Sequence, residues 1–122
     1  MMTEKQQRGA LGEAAAVDYL RRNGFMIVER NYRIGRSEVD IIAQRYDELH
    51  FVEVKTRKAG SMTAPEEALT EQKLRALRRA ASAYMAQHRS MLEPRFSLIA
   101  IDVVGNEVVS LRFVEDALQY SW

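Results

Sequence analysis

The chain is predicted to be an α/β protein, a mixed sheet flanked by helices in the order α-β-β-β-α-β-β. Three observations carry this expectation. Two segments, one near the N-terminus and one after Thr70, repeat apolar residues at helical spacing. Five others are short, apolar or alternating, and bounded by turn residues. The 122 residues, 47% hydrophobic and 29% charged, suit a single domain spanning 1–122 with one core.

Residues Arg8 to Asn23 read as the first helix, rich in Ala and Leu, with Gly24 as its stop. Glu13, Val17 and Leu20 fall at i, i+4 and i+7, so a carboxylate lies on the stripe that faces the protein. Phe25 to Arg33 reads as a strand, Ile34 to Ser37 as a turn and Glu38 to Gln44 as a second strand. Tyr46-Asp47-Glu48 is a tight connection to a third strand, Leu49 to Lys55. Lys58 to Thr63 reads as a loop and Pro65 to Leu69 as a helical turn. Thr70 is placed to cap a helix running to His88. The stripe of that helix is Leu74, Leu77, Ala81, Tyr84 and Met85, with Lys73, Arg75, Arg78 and Arg79 on its other faces. Phe96 to Val104 is a strand, Gly105-Asn106 a turn, Glu107 to Val114 the last strand, and Asp116 to Gln119 a short helical end.

Composition narrows the function classes. No stretch approaches the ~18 apolar residues of a membrane span. The N-terminal MMTEKQQRGALGE lacks the apolar core of a signal peptide, so a cytoplasmic protein without membrane partners is expected. Cysteine is absent, which excludes disulfides and thiolate metal sites. There is no GxxxxGK[ST] loop for nucleoside triphosphates. His50 and His88 have no partner at zinc-ligand spacing, and His50 is assigned a structural role. Tyr120 and Trp122 are assigned to packing. Net charge is only +1, but it is segregated: residues 71–90 hold five basic side chains against Glu71, and residues 21–36 hold five against Glu29.

The chemistry concentrates in EVDIIAQRYDELHFVEVKTR, residues 38–57. Its two strands are mostly apolar, yet Asp40, Glu53 and Lys55 interrupt them. Val39, Ile41 and Ala43 share one face, Asp40 and Ile42 the other; Val52 and Val54 share a face, Phe51, Glu53 and Lys55 the opposite one. A turn at Tyr46-Asp47 sets Asp40 opposite Glu53, and a turn at Asp47-Glu48 sets it opposite Lys55. Both keep the three charges on one face, leaving the purely apolar face for the core. Adjacent carboxylates repel, by ~1 kcal/mol at 4 Å in water and more when partly buried. Lys55, a proton or a cation must compensate. A hard divalent ion suits such oxygens, and Mg²⁺ leaves positions for water and phosphate. Metal-assisted hydrolysis of a phosphodiester is the reaction this points to, with Lys55 neutralising charge on the phosphate or acting on the attacking water. The plainer alternative is a surface ion-pair ladder. Glu-x-Lys alone arises by chance about once in every two chains of this length. Glu13 adds a third carboxylate, its alternative being satisfaction by an arginine or a backbone amide.

Consecutive segments carry a resemblance across nearly the whole chain: GALGEAAAVDYLRRNGFMIVERNYR, SEVDIIAQ, HFVEVKTRK and APEEALTEQKLRALRRAASAYM. They resemble the YraN family of bacterial proteins. That family is placed among restriction-endonuclease-like, PD-(D/E)xK nuclease folds, and is similar to archaeal Holliday-junction resolvases and the tRNA-endonuclease-like domain. The resemblance implies that Asp40, with Glu53 and Lys55, forms the nuclease motif, and that Glu13 completes a site for Mg²⁺, with Mn²⁺ an alternative. Glu38 matches the Glu two positions before the Asp; Ser37 stands where the family usually has Gly. Val39 replaces the Pro of many restriction enzymes, as in the resolvase-like branch. Thr56 and Arg57 match VEVKTR and are expected to help position a phosphate. The resulting expectation is an endonuclease on structured nucleic acid, DNA before RNA. Arg33, Arg36, Arg57, Lys73 and Arg78 would contact phosphates, and a homodimer would be needed to cut two strands symmetrically. The alternatives are a non-catalytic module binding nucleic acid or a repair partner on the same fold, and a purely structural interaction protein.

Overall fold

The computed structural model describes residues 1–60 and 70–115. Residues 61–63 of the expected 58–63 loop, the turn at Pro65–Leu69, the helical end at Asp116–Gln119, Tyr120 and Trp122 lie outside the described residues. The elements follow the expected order: α1 (Glu4–Arg22), β1 (Met26–Ile34), β2 (Ser37–Arg45), β3 (Glu48–Lys58), α2 (Glu71–Gln87), β4 (Glu93–Val104) and β5 (Glu107–Val114). The strands form a single sheet in chain order. All neighbours are antiparallel except β3 and β4, which run parallel because α2 carries the chain back between them. This is the mixed sheet between helices of a restriction-endonuclease-like fold.

α1 begins at Glu4, earlier than expected, because Thr3 forms a capping box. The Gln6 N–H donates to Thr3 Oγ1 at 3.1 Å and the Thr3 N–H to Gln6 Oε1 at 2.9 Å. α2 starts where expected: Thr70 Oγ1 accepts from the Lys73 N–H at 3.2 Å. β3 runs to Lys58, past the expected Lys55, because it pairs with β4 along its whole length.

Both faces of the sheet are covered, which corrects the expectation of a single packed face. α1 lays Ala16, Val17 and Leu20 on Ile41, Ala43, Val52, Ile99 and Ile101. α2 lays Leu77, Ala80, Ala81 and Tyr84 on Ile42, Leu49 and Phe51. A central sheet flanked by two helices has no solvent face except where a helix ends. Val39 also departs from simple alternation. It packs with Ile42 and Phe51, not with Ile41 and Ala43. The change of side occurs at Asp40, opposite Asn31, whose φ of 52° is left-handed. Among the described residues no helix is long and apolar enough to cross a membrane.

Candidate functional site

The hairpin turn resolves the two registers. Arg45 pairs with Glu48, so Tyr46-Asp47 are the turn residues, with Tyr46 at φ 57°. Continuing this register places Asp40 opposite Glu53. The β2–β3 ladder ends one pair earlier, at Ile41 and Val52. There the Asp40 carboxylate takes over: its Oδ2 accepts from the Val54 N–H at 2.8 Å. A side chain thus replaces the next rung of the sheet, fixing Asp40 against β3.

Glu53 stands two residues beyond Phe51 on the α2 side, past the point where the helix covers the sheet. Leu74, in the first turn of α2, packs on Leu98, the β4 partner of Glu53. Both carboxyls are partly withdrawn from water and both hold protons more tightly than usual. Asp40 is pushed up to about 6, first by burial, against the opposing Val54 hydrogen bond and with Glu38 and Glu13 adding negative charge. Glu53 is pushed up to about 7, first by burial and then by the Asp40 charge. Lys73 from α2 lowers both and Lys55 lowers Glu53, yet neither lysine offsets the desolvation. The two carboxyls form a pair whose burial the nearby positive charge does not offset.

The other expected site residues have different fates. Glu13 is half-buried on the α1 side, and its Oε1 accepts from Arg30 Nε and Nη2 at 3.2 Å and from Asn31 Nδ2 at 3.0 Å. Its charge reaches Asp40, but these hydrogen bonds go to β1. Among the described residues no three His, Cys, Asp or Glu side chains are grouped to hold a metal ion. Lys55 is exposed, as is Lys73. Arg33 is paired with Glu38 at 3.2 Å, and Arg36 is exposed in the β1–β2 turn. Arg78 is exposed on α2, beside Leu74 and Arg75 in an open cleft. Arg57 is engaged: its Nε donates to Asp102 Oδ1 at 2.8 Å, and its Nη1 is buried without a hydrogen-bond partner.

Sequence reasoning missed the rest of this polar row. Asp102 Oδ2 accepts from Ser110 Oγ at 3.0 Å, tying β3, β4 and β5 together through side chains. The Arg57 hydrogen bond holds the Asp102 carboxyl below its usual range. Arg112, facing Ala100 across β4–β5, adds a further cation to the sheet. Only the alternation of Asp102 with Leu98 and Ala100 hinted at this row, and it needs the β3–β4 register to be read. Gly12 was also unremarked. α1 approaches β3 so closely there that a Cβ would collide with the Thr56 side chain. His50 is structural, as expected. Buried, it is hydrogen-bonded to Ser97 Oγ and Glu48 Oε1, both at 3.1 Å, and stands edge-on to Phe25.

Fold and site together define an α/β protein with a half-buried carboxylate pair and lysines at an open end of its sheet. Residues 12–101 match the family described as uncharacterised protein family UPF0102, the YraN family. A UPF0102 protein of Syntrophotalea carbinolica is 43% identical over 108 residues, 88% of each chain. One of Desulfosudis oleivorans is 37% identical over 118 residues, 96% of each chain. One of Chlorobium phaeobacteroides strain BS1 is 46% identical over 114 residues, 92% of this chain and 88% of that relative. The chain belongs to the UPF0102 family.

Proposed function

We propose that this protein hydrolyses phosphodiester bonds in structured nucleic acid, using a divalent cation held by Asp40 and Glu53. The observation that carries the reading is the carboxylate pair itself: two desolvated acids, with Asp40 adding to the proton affinity of Glu53, beside cations that do not offset their burial. Such a pair suits a hard cation, and Mg²⁺ needs only one or two carboxylates when phosphate and water complete its shell. Mn²⁺ would serve similarly. When bound, the ion would supply charge neutralisation at the phosphate and an acidified water. The chain's own residues do the rest. Asp40 is oriented by the Val54 amide. Lys55, exposed on the same strand as Glu53, is free to approach a phosphate oxygen. Lys73 and Arg78 on α2, with Arg33 and Arg36 near the β1–β2 turn, would position the backbone without reading sequence. Glu13 acts here through Arg30 and Asn31, holding β1 beside Asp40, and would join the metal only by leaving them. DNA is the first substrate to try, branched forms above all, because the family resembles junction resolvases; symmetric cutting would require a homodimer.

The test compares wild type with Asp40→Asn, Asp40→Ala and Lys55→Ala on labelled branched, duplex and single-stranded DNA and structured RNA, in Mg²⁺, Mn²⁺ or EDTA. Asp40→Asn retains an acceptor for the Val54 amide, which separates lost chemistry from lost folding. Cutting by wild type alone, abolished by EDTA, is expected. Equal binding by all four folded proteins with no cutting would leave a non-catalytic binding module instead.

A further inference from the structure

A second feature lies at the same end of the sheet but on the α1 side. An open cavity of about 270 Å³ is bounded by the first turns of α1, the end of β3 and the β4–β5 turn. β3 and β4 stay paired to their ends here, with the Ala59 N–H donating to Val103 O at 2.8 Å. An irregularity between Asp102 and Val103 then breaks the β4–β5 register, and bulges of this kind bend a strand pair. The floor is apolar, with Leu11 from α1 and Val103 from β4. The rim is charged. Arg8 and Lys58 lie 3.9 and 3.4 Å from Glu4, and the Glu4 side chain is 78% exposed. Two cations from separate elements therefore share one exposed carboxylate, and an incoming anion can replace it. Arg8 is only 20% exposed, so its stem lines the wall while its head faces the rim.

We propose that this cavity takes one unpaired nucleotide, its base on the Leu11–Val103 floor and its phosphate exchanged for Glu4 against Arg8 and Lys58. The volume lies just below the ~300–1,000 Å³ of small-molecule sites, which suits one base with an attached phosphate. Cavities at the carboxyl ends of parallel strands are common ligand positions in open α/β sheets. The inference rests on the nucleic-acid reading above and refines it. Lys58 follows Lys55 by three residues, roughly 10 Å along β3. A strand engaged at Asp40 and Glu53 could turn over the sheet rim and leave its neighbouring unpaired nucleotide in the cavity. The preferred substrate is then a junction or end with an unpaired nucleotide beside the cleaved bond, not continuous duplex.

The experiment is an amide NMR titration of the full chain with deoxyadenosine monophosphate, inorganic phosphate, a blunt DNA hairpin, and the same hairpin with one unpaired nucleotide. The mononucleotide and the unpaired hairpin should shift the Ala59, Gly105 and Asn106 amides; phosphate should do so only at much higher concentration. Arg8→Ala and Lys58→Ala should each weaken this by about tenfold, as expected for a charge-assisted hydrogen bond, and Glu4→Gln should tighten it. Arg8→Gln, which keeps most of the stem, guards against a folding artefact. Silence of these amides with millimolar mononucleotide, or equal response to phosphate, overturns the proposal, even if the hairpins are still cut. If mononucleotide binds here but no hairpin is bound or cut at Asp40 and Glu53, the cavity stands and the nuclease reading falls.

Discussion

At Asp40 and Glu53, desolvation outweighs the compensation offered by Lys55 and Lys73. Both carboxyls bind protons more tightly folded than unfolded, so folding takes up protons between the ordinary values of 3.8 and 4.5 and the folded values of about 6 and about 7. The contribution of this pair to the stability of the metal-free protein should therefore be full below pH 3.8 and be lost as pH rises through about 6 and about 7. Glu53→Gln should raise the melting temperature in EDTA at pH 8 by roughly 3 °C, with little change at pH 5. Thermal unfolding at the two pH values checks this, and a gain that is equal at both would contradict it. In wild type, Mg²⁺ at a hundred times its Kd should add about 2.7 kcal/mol to stability at pH 8, and less at pH 5, where protons compete. Arg57 illustrates the converse: its charge stabilises Asp102 and is not freely presented to a ligand.

The position of α1 on the sheet is set where Gly12 meets Thr56. In an exposed helix Gly→Ala stabilises by ~1 kcal/mol. Here Gly12→Ala should instead destabilise by about 1–3 kcal/mol, because the added methyl forces α1 off β3. Thr56→Ala should recover part of that loss in the double variant, a coupling that chemical denaturation can measure. α2 depends on its cap, and Thr70→Ala should cost about 1 kcal/mol and loosen the turn that carries Lys73. β3 is tied to β4 by buried His50, hydrogen-bonded to Ser97 of β4 and Glu48 of its own strand. His50→Ala should cost about 3 kcal/mol through lost packing on Phe25 and unpartnered polar groups, measurable by urea unfolding.

Across the whole molecule, charge is sorted by the fold. Near-zero net charge hides an end of the sheet where Lys55 and Lys73 act on a carboxylate pair. Binding to DNA should weaken steeply with salt. Lys55→Ala and Lys73→Ala should each flatten the log–log salt dependence by roughly 0.7–0.9, one phosphate contact apiece. Unchanged slopes in both variants would remove these lysines from the interface.

Element order, the two helix stripes, the hairpin and the shared strand of Glu53 and Lys55 all follow from short-range periodicity, which a linear chain displays openly. The Thr3 cap is equally local, written as Thr3-Glu4-Lys5-Gln6, and lies ahead of the apolar periodicity that marks α1 from Arg8. Three further features required the assembled sheet. The Tyr46-Asp47 turn chose the register that sets Asp40 opposite Glu53, one of the two that the string alone leaves open. The parallel β3–β4 pairing brought Asp102 to Arg57 across 45 residues of sequence. And Glu13, correctly assigned to the inward stripe, met Arg30 and Asn31 instead of the carboxylate pair, because α1 and α2 cover opposite faces of the sheet. Periodicity says which side of an element is buried; only packing says which neighbour each buried charge will meet.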